Sequence, residues 1–318
     1  MKKILPTLLL LLTSMIWGFA FVAQVEGSAH IDAFTFNGVR FLLGAISLLP
    51  VVAIAEGRRI AARGKIPIDT AKKPASLKTT VLAGMLVGSV LFTASTLQQK
   101  GAQITQSAGV SGFITGLYTV LTPIMCFFIF RKSVSISSWI GAVGAVGGLF
   151  LLCVKMDGNL SFGLGETLLL ICSVFFATHI IVVDLFVDRV YPLLFSQIQF
   201  LTCGVLSMLG ALIFEKISLE SIINARGAIL YCGIMSVGVA YTLQIISQKM
   251  TTPTYAAIIF STESVFSVLG GVLFGTDSIS PIGYVGCLII FICILISQLN
   301  IETLIRRRKS PENINKEV

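Results

Sequence analysis

Apolar stretches of about twenty residues, nearly free of charge, recur along this chain. Each is long enough to cross a hydrocarbon layer of ~30 Å as a helix. A backbone placed there must bond to itself, because no water reaches its N–H and C=O groups, so helices are the expected element. Ten spans are expected, at 5–24, 34–55, 79–98, 104–130, 134–154, 163–186, 193–214, 227–247, 254–274 and 281–300. Composition agrees: 55% of the residues are hydrophobic and 12% are charged, against about 25% charged in soluble domains. The fold class expected is an all-α polytopic membrane protein.

The formal charge of +8 does not point to nucleic acid, because of where the basic residues sit. With the N-terminus inside, 18 of the 23 Lys and Arg fall in the alternate segments that face the same side. Such asymmetry sets orientation and predicts both termini in the cytoplasm. The basic segment 56–77 reads as a loop on the membrane surface. The tail 301–318, with Arg306, Arg307, Arg308 and Lys309, reads as an anchor on acidic headgroups. Lys2 and Lys3 ahead of an apolar run resemble a signal peptide, but a later segment repeats that run, so it is read as an uncleaved first helix. Seven cysteines lie in apolar spans with no CxxC spacing, which predicts packing residues rather than a metal site or disulfides.

The halves repeat. At an offset of 159, Phe36, Val39, Arg40, Phe41 and Leu42 fall on Phe195, Ile198, Gln199, Phe200 and Leu201, and Trp17-Gly18 falls on Phe176-Ala177. Thr96-Leu97-Gln98 is similar to Thr242-Leu243-Gln244. Five spans per half is an odd number, so the second half enters the membrane upside down. The expected units are 1–157 and 158–300, an inverted repeat of the kind that places a solute site near the midplane between halves. Four GxxxG spacings, at Gly84–Gly88, Gly112–Gly116, Gly144–Gly148 and Gly271–Gly275, predict close helix contacts within the chain.

Polar residues inside spans are expensive, roughly 2.5–3.5 kcal/mol for a charge at a helix centre on insertion scales, so each needs a reason. In the fourth span Gln103, Ser107, Ser111, Thr115 and Thr119 recur every four residues, which predicts a slowly winding polar face along one helix. Pro123 interrupts its end, freeing the Thr119 carbonyl. Glu263 in the ninth span can bind a cation or take up a proton, or it can hydrogen-bond a neighbouring helix end. Arg40 can attract a solute carboxylate, or it can snorkel outward or pair with Glu26, Asp32 or Glu166. His179 can relay protons or sit satisfied in the core. Tyr241, Gln244 and Gln248 share one face of the eighth span, and Ser89, Thr93, Thr96 and Gln99 line the third. With Trp17, Ser111, Thr115 and Tyr118 these make a mostly neutral cavity with aromatic walls. Such a cavity suits zwitterionic or moderately apolar solutes. The aromatics can equally serve interfaces or packing.

Trp17-Gly18, Arg40, GFITGLYTVLTP of the fourth span, AYTLQIISQK (240–249) and FSTESVF (260–266) together resemble the EamA branch of the drug/metabolite transporter superfamily. The resemblance runs over about 5–300. It implies a ten-helix inner-membrane transporter of two inverted five-helix repeats around a central cavity. Members move small metabolites, often amino acids and related compounds, and many are exporters. Two places depart from the family pattern. Ser264 stands where a proline usually follows the glutamate, and Gly275-Thr276-Asp277 stands where a Gly-Glu is usual.

HExxH, GxSxG and GxxxxGK[ST] are all missing from the sequence, so an enzyme is not expected and nucleotide-driven transport lacks its usual parts. No cofactor is expected. The reading is a secondary transporter for a small solute, with protons as a candidate coupling ion, in a bacterial inner membrane. The alternatives are an uncoupled facilitator or channel and, more remotely, a membrane sensor. Substrate, direction and oligomeric state are not encoded in any motif.

Overall fold

The computed structural model describes residues 4–62, 76–131, 136–152, 162–248, 250, 259–260, 262–277 and 279–298. Among them the chain is helical, with no strand. The helices are α1 (Ile4–Ser28), α2 (Ala33–Ala62), α3 (Leu77–Thr105), α4 (Ala108–Gly116), α5 (Tyr118–Phe130), α6 (Ile136–Leu152), α7 (Leu164–Phe186), α8 (Pro192–Phe214), α9 (Leu219–Asn224), α10 (Arg226–Leu230), α11 (Tyr241–Gln248), α12 (Thr262–Phe274) and α13 (Pro281–Gln298). A π-helical stretch, Tyr231–Ala240, joins α10 to α11.

Seven helical runs are long and apolar enough to cross a membrane: Ile4–Ser28, Ala33–Gly57, Leu77–Thr105, Ala108–Ile129, Leu164–Arg189, Pro192–Phe214 and Arg226–Ser247. Three further apolar helices are shorter, Trp139–Leu152, Thr262–Phe274 and Pro281–Ile296. The outward surface of these helices is apolar. Val143, Phe214 and Ile213 are each more than 70% exposed, an exposure that only lipid makes favourable. Polar side chains point the other way: Gln24, Asn37, Arg40, Gln99, His179, Gln199, Gln244 and Glu263 are all buried.

Two expectations need correcting here. The segment 56–77 does not begin as a loop, because α2 runs on to Ala62; residues 63–75, like the tail 301–318, lie outside the described residues. The expected polar face does not follow one helix, because Gln103 lies in α3 and Ser107 is the N-cap of α4, so the fourth span starts only at Ala108. It breaks at Leu117 between α4 and α5, where Leu117 N–H bonds Ile114 and Val120 N–H bonds Leu117. Pro123 sits inside α5. Ser111, Thr115 and Thr119 nevertheless all stay buried.

Small residues set the helix packing. α2 lies along α8, α3 along α7 and α8, α1 along α12, and α6 along α13. A Cβ at Gly88 would lie 2.6 Å from the carbonyl oxygen of Gln199, and one at Gly112 would collide with Ser267 Oγ. Gly148 and Gly286 place α6 and α13 backbone to backbone, at 2.9 Å and 2.6 Å by the same measure. Three of the four GxxxG spacings therefore mark close contacts between helices of the chain. The fourth, Gly271–Gly275, ends α12: Gly275 takes φ +71° and Thr276 N–H reaches back to the Gly271 carbonyl at 2.9 Å, a glycine-closed C-terminus.

Two carboxylates from the second half close helix starts in the first. Glu215 accepts the N–H groups of Phe34 (2.8 Å) and Thr35 (2.7 Å) and the Thr35 hydroxyl. Asp277 accepts Ser107 Oγ–H at 2.7 Å and the Gly109 N–H at 2.9 Å. Both sit where a helix leaves donors unpaired and its dipole favours negative charge. Burial pushes the Asp277 carboxyl above its ordinary range, and the bonds from Ser107 and the backbone of Gly109 and Ala108 pull it part of the way back.

Candidate functional site

One cavity lies among α1, α2, α3, α4, α5, α7, α11, α12 and the π-helical stretch. Of the residues singled out in the sequence, Trp17, Arg40, Thr115, Tyr118, His179, Tyr241, Gln244 and Glu263 border it. The glycine-lined contacts let these helices approach closely enough for side chains from both halves to share one space.

Its aromatic wall is built around Tyr241. Trp17 meets it edge to face at 4.8 Å between ring centroids, with Phe200 at 5.5 Å and His179 at 6.3 Å. Trp17 Nε1–H donates to the Ser236 carbonyl at 3.3 Å, so the indole is oriented rather than merely packed. That carbonyl belongs to the π-helical stretch, a distortion common at functional positions. Tyr118 stands 6.3 Å from Phe176 across the cavity wall.

Among the described residues two charged groups border the cavity, Glu263 and Arg40, and they do not pair within 4.0 Å. Glu263 is 6% exposed, and Tyr118 O–H donates to its Oε2 at 3.2 Å. Arg40 is 3% exposed, its guanidinium lying 5.3 Å and 5.1 Å from the ring centres of Phe36 and Phe41. These are cation–π distances. Arg40 does not snorkel, and among the described residues no carboxylate lies within 4.0 Å of it. Of the three acids considered as its partners, Asp32 faces Lys100 at 4.0 Å, Glu166 accepts the Gly163 N–H at 2.9 Å, and Glu26 is exposed. His179 is held through Nε2 by Gln199 Oε1 at 3.0 Å. The amide oxygen can only accept, so Nε2 carries the proton there.

Five candidates, Ser89, Thr93, Thr96, Gln99 and Ser111, do not border the cavity. Thr93 turns to its own helix, donating to the Ser89 carbonyl at 3.3 Å, and Ser89 is exposed. Gln99 is buried against α1, where its Nε2–H donates to the Gln24 carbonyl at 3.0 Å. Ser111 sits 3.2 Å from the Thr105 hydroxyl. The buried face of α3 runs instead through Gly84, Gly88, Leu91, Ser95 and Gln98, and Gln98 takes the cavity position. The side chain of Gln248 lies outside the described residues. Lining residues not anticipated include Gln24, Phe21, Phe176 and Ser236. Gln98 had a signal, its match to Gln244 in the repeat; so did Phe176, the counterpart of Trp17.

Both departures from the family pattern have local accounts. Ser264 Oγ–H donates to the Gly112 carbonyl at 3.1 Å, so it ties α12 to α4. Asp277 caps α4 rather than entering the cavity.

A family model described as the EamA-like transporter family matches residues 4–154 and again 163–298. A protein of Archaeoglobus fulgidus named "Uncharacterized transporter" is 25% identical over 300 residues, covering 94% of this chain and 88% of that one. A solved structure titled "Crystal structure of protein" superposes with a TM-score of 0.65 at 19% identity, covering 96% of this chain and 99% of that one; that likeness concerns the fold alone. With matches spanning nearly all of its length, the chain belongs to the EamA-like transporter family.

Proposed function

We propose that the chain is a secondary carrier, an exporter of small metabolites such as amino acids or related amphiphilic solutes. It works by alternating access at the cavity around Trp17, Tyr118, Tyr241 and Glu263. Ten spans form two inverted repeats, 1–157 and 158–300, in a bacterial inner membrane with both termini cytoplasmic. Export is coupled to protons through Glu263, the carboxylate bordering the cavity.

The observation that carries this reading is the pairing of lining residues between halves. At the offset of 159, Trp17 corresponds to Phe176, Ala20 to His179 and Phe21 to Ile180, and all six border the cavity. Gln98 and Gln244, matched in sequence, border it too. Exchange of the halves also maps the packing onto itself. The α2–α8 and α6–α13 contacts are each their own image, and the α1–α12 contact corresponds to α7 against α4 and α5. The two separate matches to the family model fall one on each half. A site made by both halves is what a rocking carrier requires.

Purified protein screened against amino acids, nucleosides and amphiphilic amines tests this. A solute at a hundred times its Kd should add about 2.7 kcal/mol of stability and raise the melting temperature, and Trp17→Ala should abolish that rise. A panel without any stabilising solute, or an undiminished rise in Trp17→Ala, counts against the site.

A further inference from the structure

Arg40 is a charge without a counter-charge. It is 3% exposed, it borders the cavity, its Nε has no hydrogen-bond partner, and no carboxylate among the described residues comes within 4.0 Å. The Phe36 and Phe41 ring faces relieve part of the burial cost but leave that N–H unmet. A buried guanidinium left this way is costly unless a partner arrives. The other half solves the same position differently. Its counterpart, Gln199, is neutral and already bonded to His179 at 3.0 Å. Gln24, also bordering the cavity and 3% exposed, presents the complementary vacancy: its Oε1 is a buried acceptor with no donor.

We propose that Arg40 is the receptor for a carboxylate on the transported solute and sets the requirement for one. This rests on the carrier reading above. A guanidinium binds a carboxylate side-on through two parallel N–H groups. The Arg40 Nε–H is one such donor left without a partner, although Cys232 also bonds the guanidinium. The charge balance favours a carboxylate over a phosphate dianion. Among the described residues Arg40 is the one Lys or Arg bordering the cavity, and Glu263 borders it as well. A donor elsewhere on the solute, such as an ammonium, meets Gln24 Oε1 or the Glu263 carboxylate. The solute is therefore read at both ends, with its anionic end on the first repeat's second helix.

The test is inhibition of labelled leucine, phenylalanine and threonine uptake into proteoliposomes, each competed with the unlabelled amino acid and with its carboxamide. Wild-type protein should prefer the acid at least tenfold. Arg40→Gln, the residue the other half carries at this position, should bring acid and amide within about threefold of each other. Arg40→Lys keeps the charge without the planar fork; it should lie between the two, and it serves if the glutamine variant does not fold. An unchanged preference in a folded variant, or equal inhibition by acid and amide in the wild type, overturns the assignment. If none of the three amino acids is taken up, the carrier reading for such solutes fails first, and this assignment fails with it.

Discussion

Replacing Glu263 by glutamine together with His179 by alanine should abolish pH-gradient-driven accumulation while leaving a folded protein. Glutamine has the shape of glutamate and still accepts the hydroxyl hydrogen of Tyr118, which now bonds Oε2 at 3.2 Å. Removing His179 frees Gln199, which loses its 3.0 Å partner, a cost on the order of 1–3 kcal/mol for an orphaned buried group. What disappears is the titratable carboxylate and imidazole of the cavity wall, both buried there. One pH unit across the membrane is worth about 1.4 kcal/mol per proton, hence about tenfold accumulation for one-to-one exchange. Wild-type protein in proteoliposomes should approach that ratio after a pH jump, and the double variant should stay near unity. Full gradient dependence in the variant would show that proton coupling does not pass through Glu263 or His179.

The second large effect concerns folding alone. Gly286→Val should destroy the α6–α13 pair. A Cβ at Gly286 would lie 2.5 Å from Leu152 N, 2.6 Å from Gly148 O and 3.0 Å from Leu151 C, all backbone atoms. No rotamer relieves a clash with backbone, so the helices must separate. Overpacking of flexible cores costs about 1–3 kcal/mol, and a rigid contact such as this belongs above that range. Gly147→Val is the control one residue from Gly148 on the same helix, because nothing lies within 4 Å of its Cβ position. Detergent-solubilised Gly286→Val should aggregate or melt far below wild type, with Gly147→Val close to wild type. Equal yield and melting temperature for the two would show that α6 and α13 are not held by this contact.

Much of this arrangement was legible in the sequence, because lipid imposes strong rules. Apolar run length marks the helices, and the residues that break the apolar rule, Arg40, Glu263 and His179, all border one cavity. What periodicity does not give is phase. Ser89, Thr93 and Gln99 were read as a lining face of α3, but the face that turns inward is fixed by where Gly84 and Gly88 let α8 approach. That contact rotates Gln98 into the cavity and Ser89 outward. The break at Leu117 directly follows Gly116, one of several glycines in that span, and no proline marks it. Asp277 looked like a displaced family carboxylate until its bonds to Ser107 and Gly109 placed it on a helix end. Gln24 left no local mark at all, being one polar residue in an ordinary first helix.

The central claim is that solute binds between two halves that open in turn. Solute counterflow across proteoliposomes tests it most directly. Vesicles are loaded with millimolar unlabelled solute, diluted into trace label, and followed in time without any ion gradient. A carrier should show a transient overshoot of label above its equilibrium level, saturable in the internal solute and lost in Trp17→Ala. A monotonic approach to equilibrium, with a rate proportional to concentration, would be the behaviour of a channel and would contradict the account.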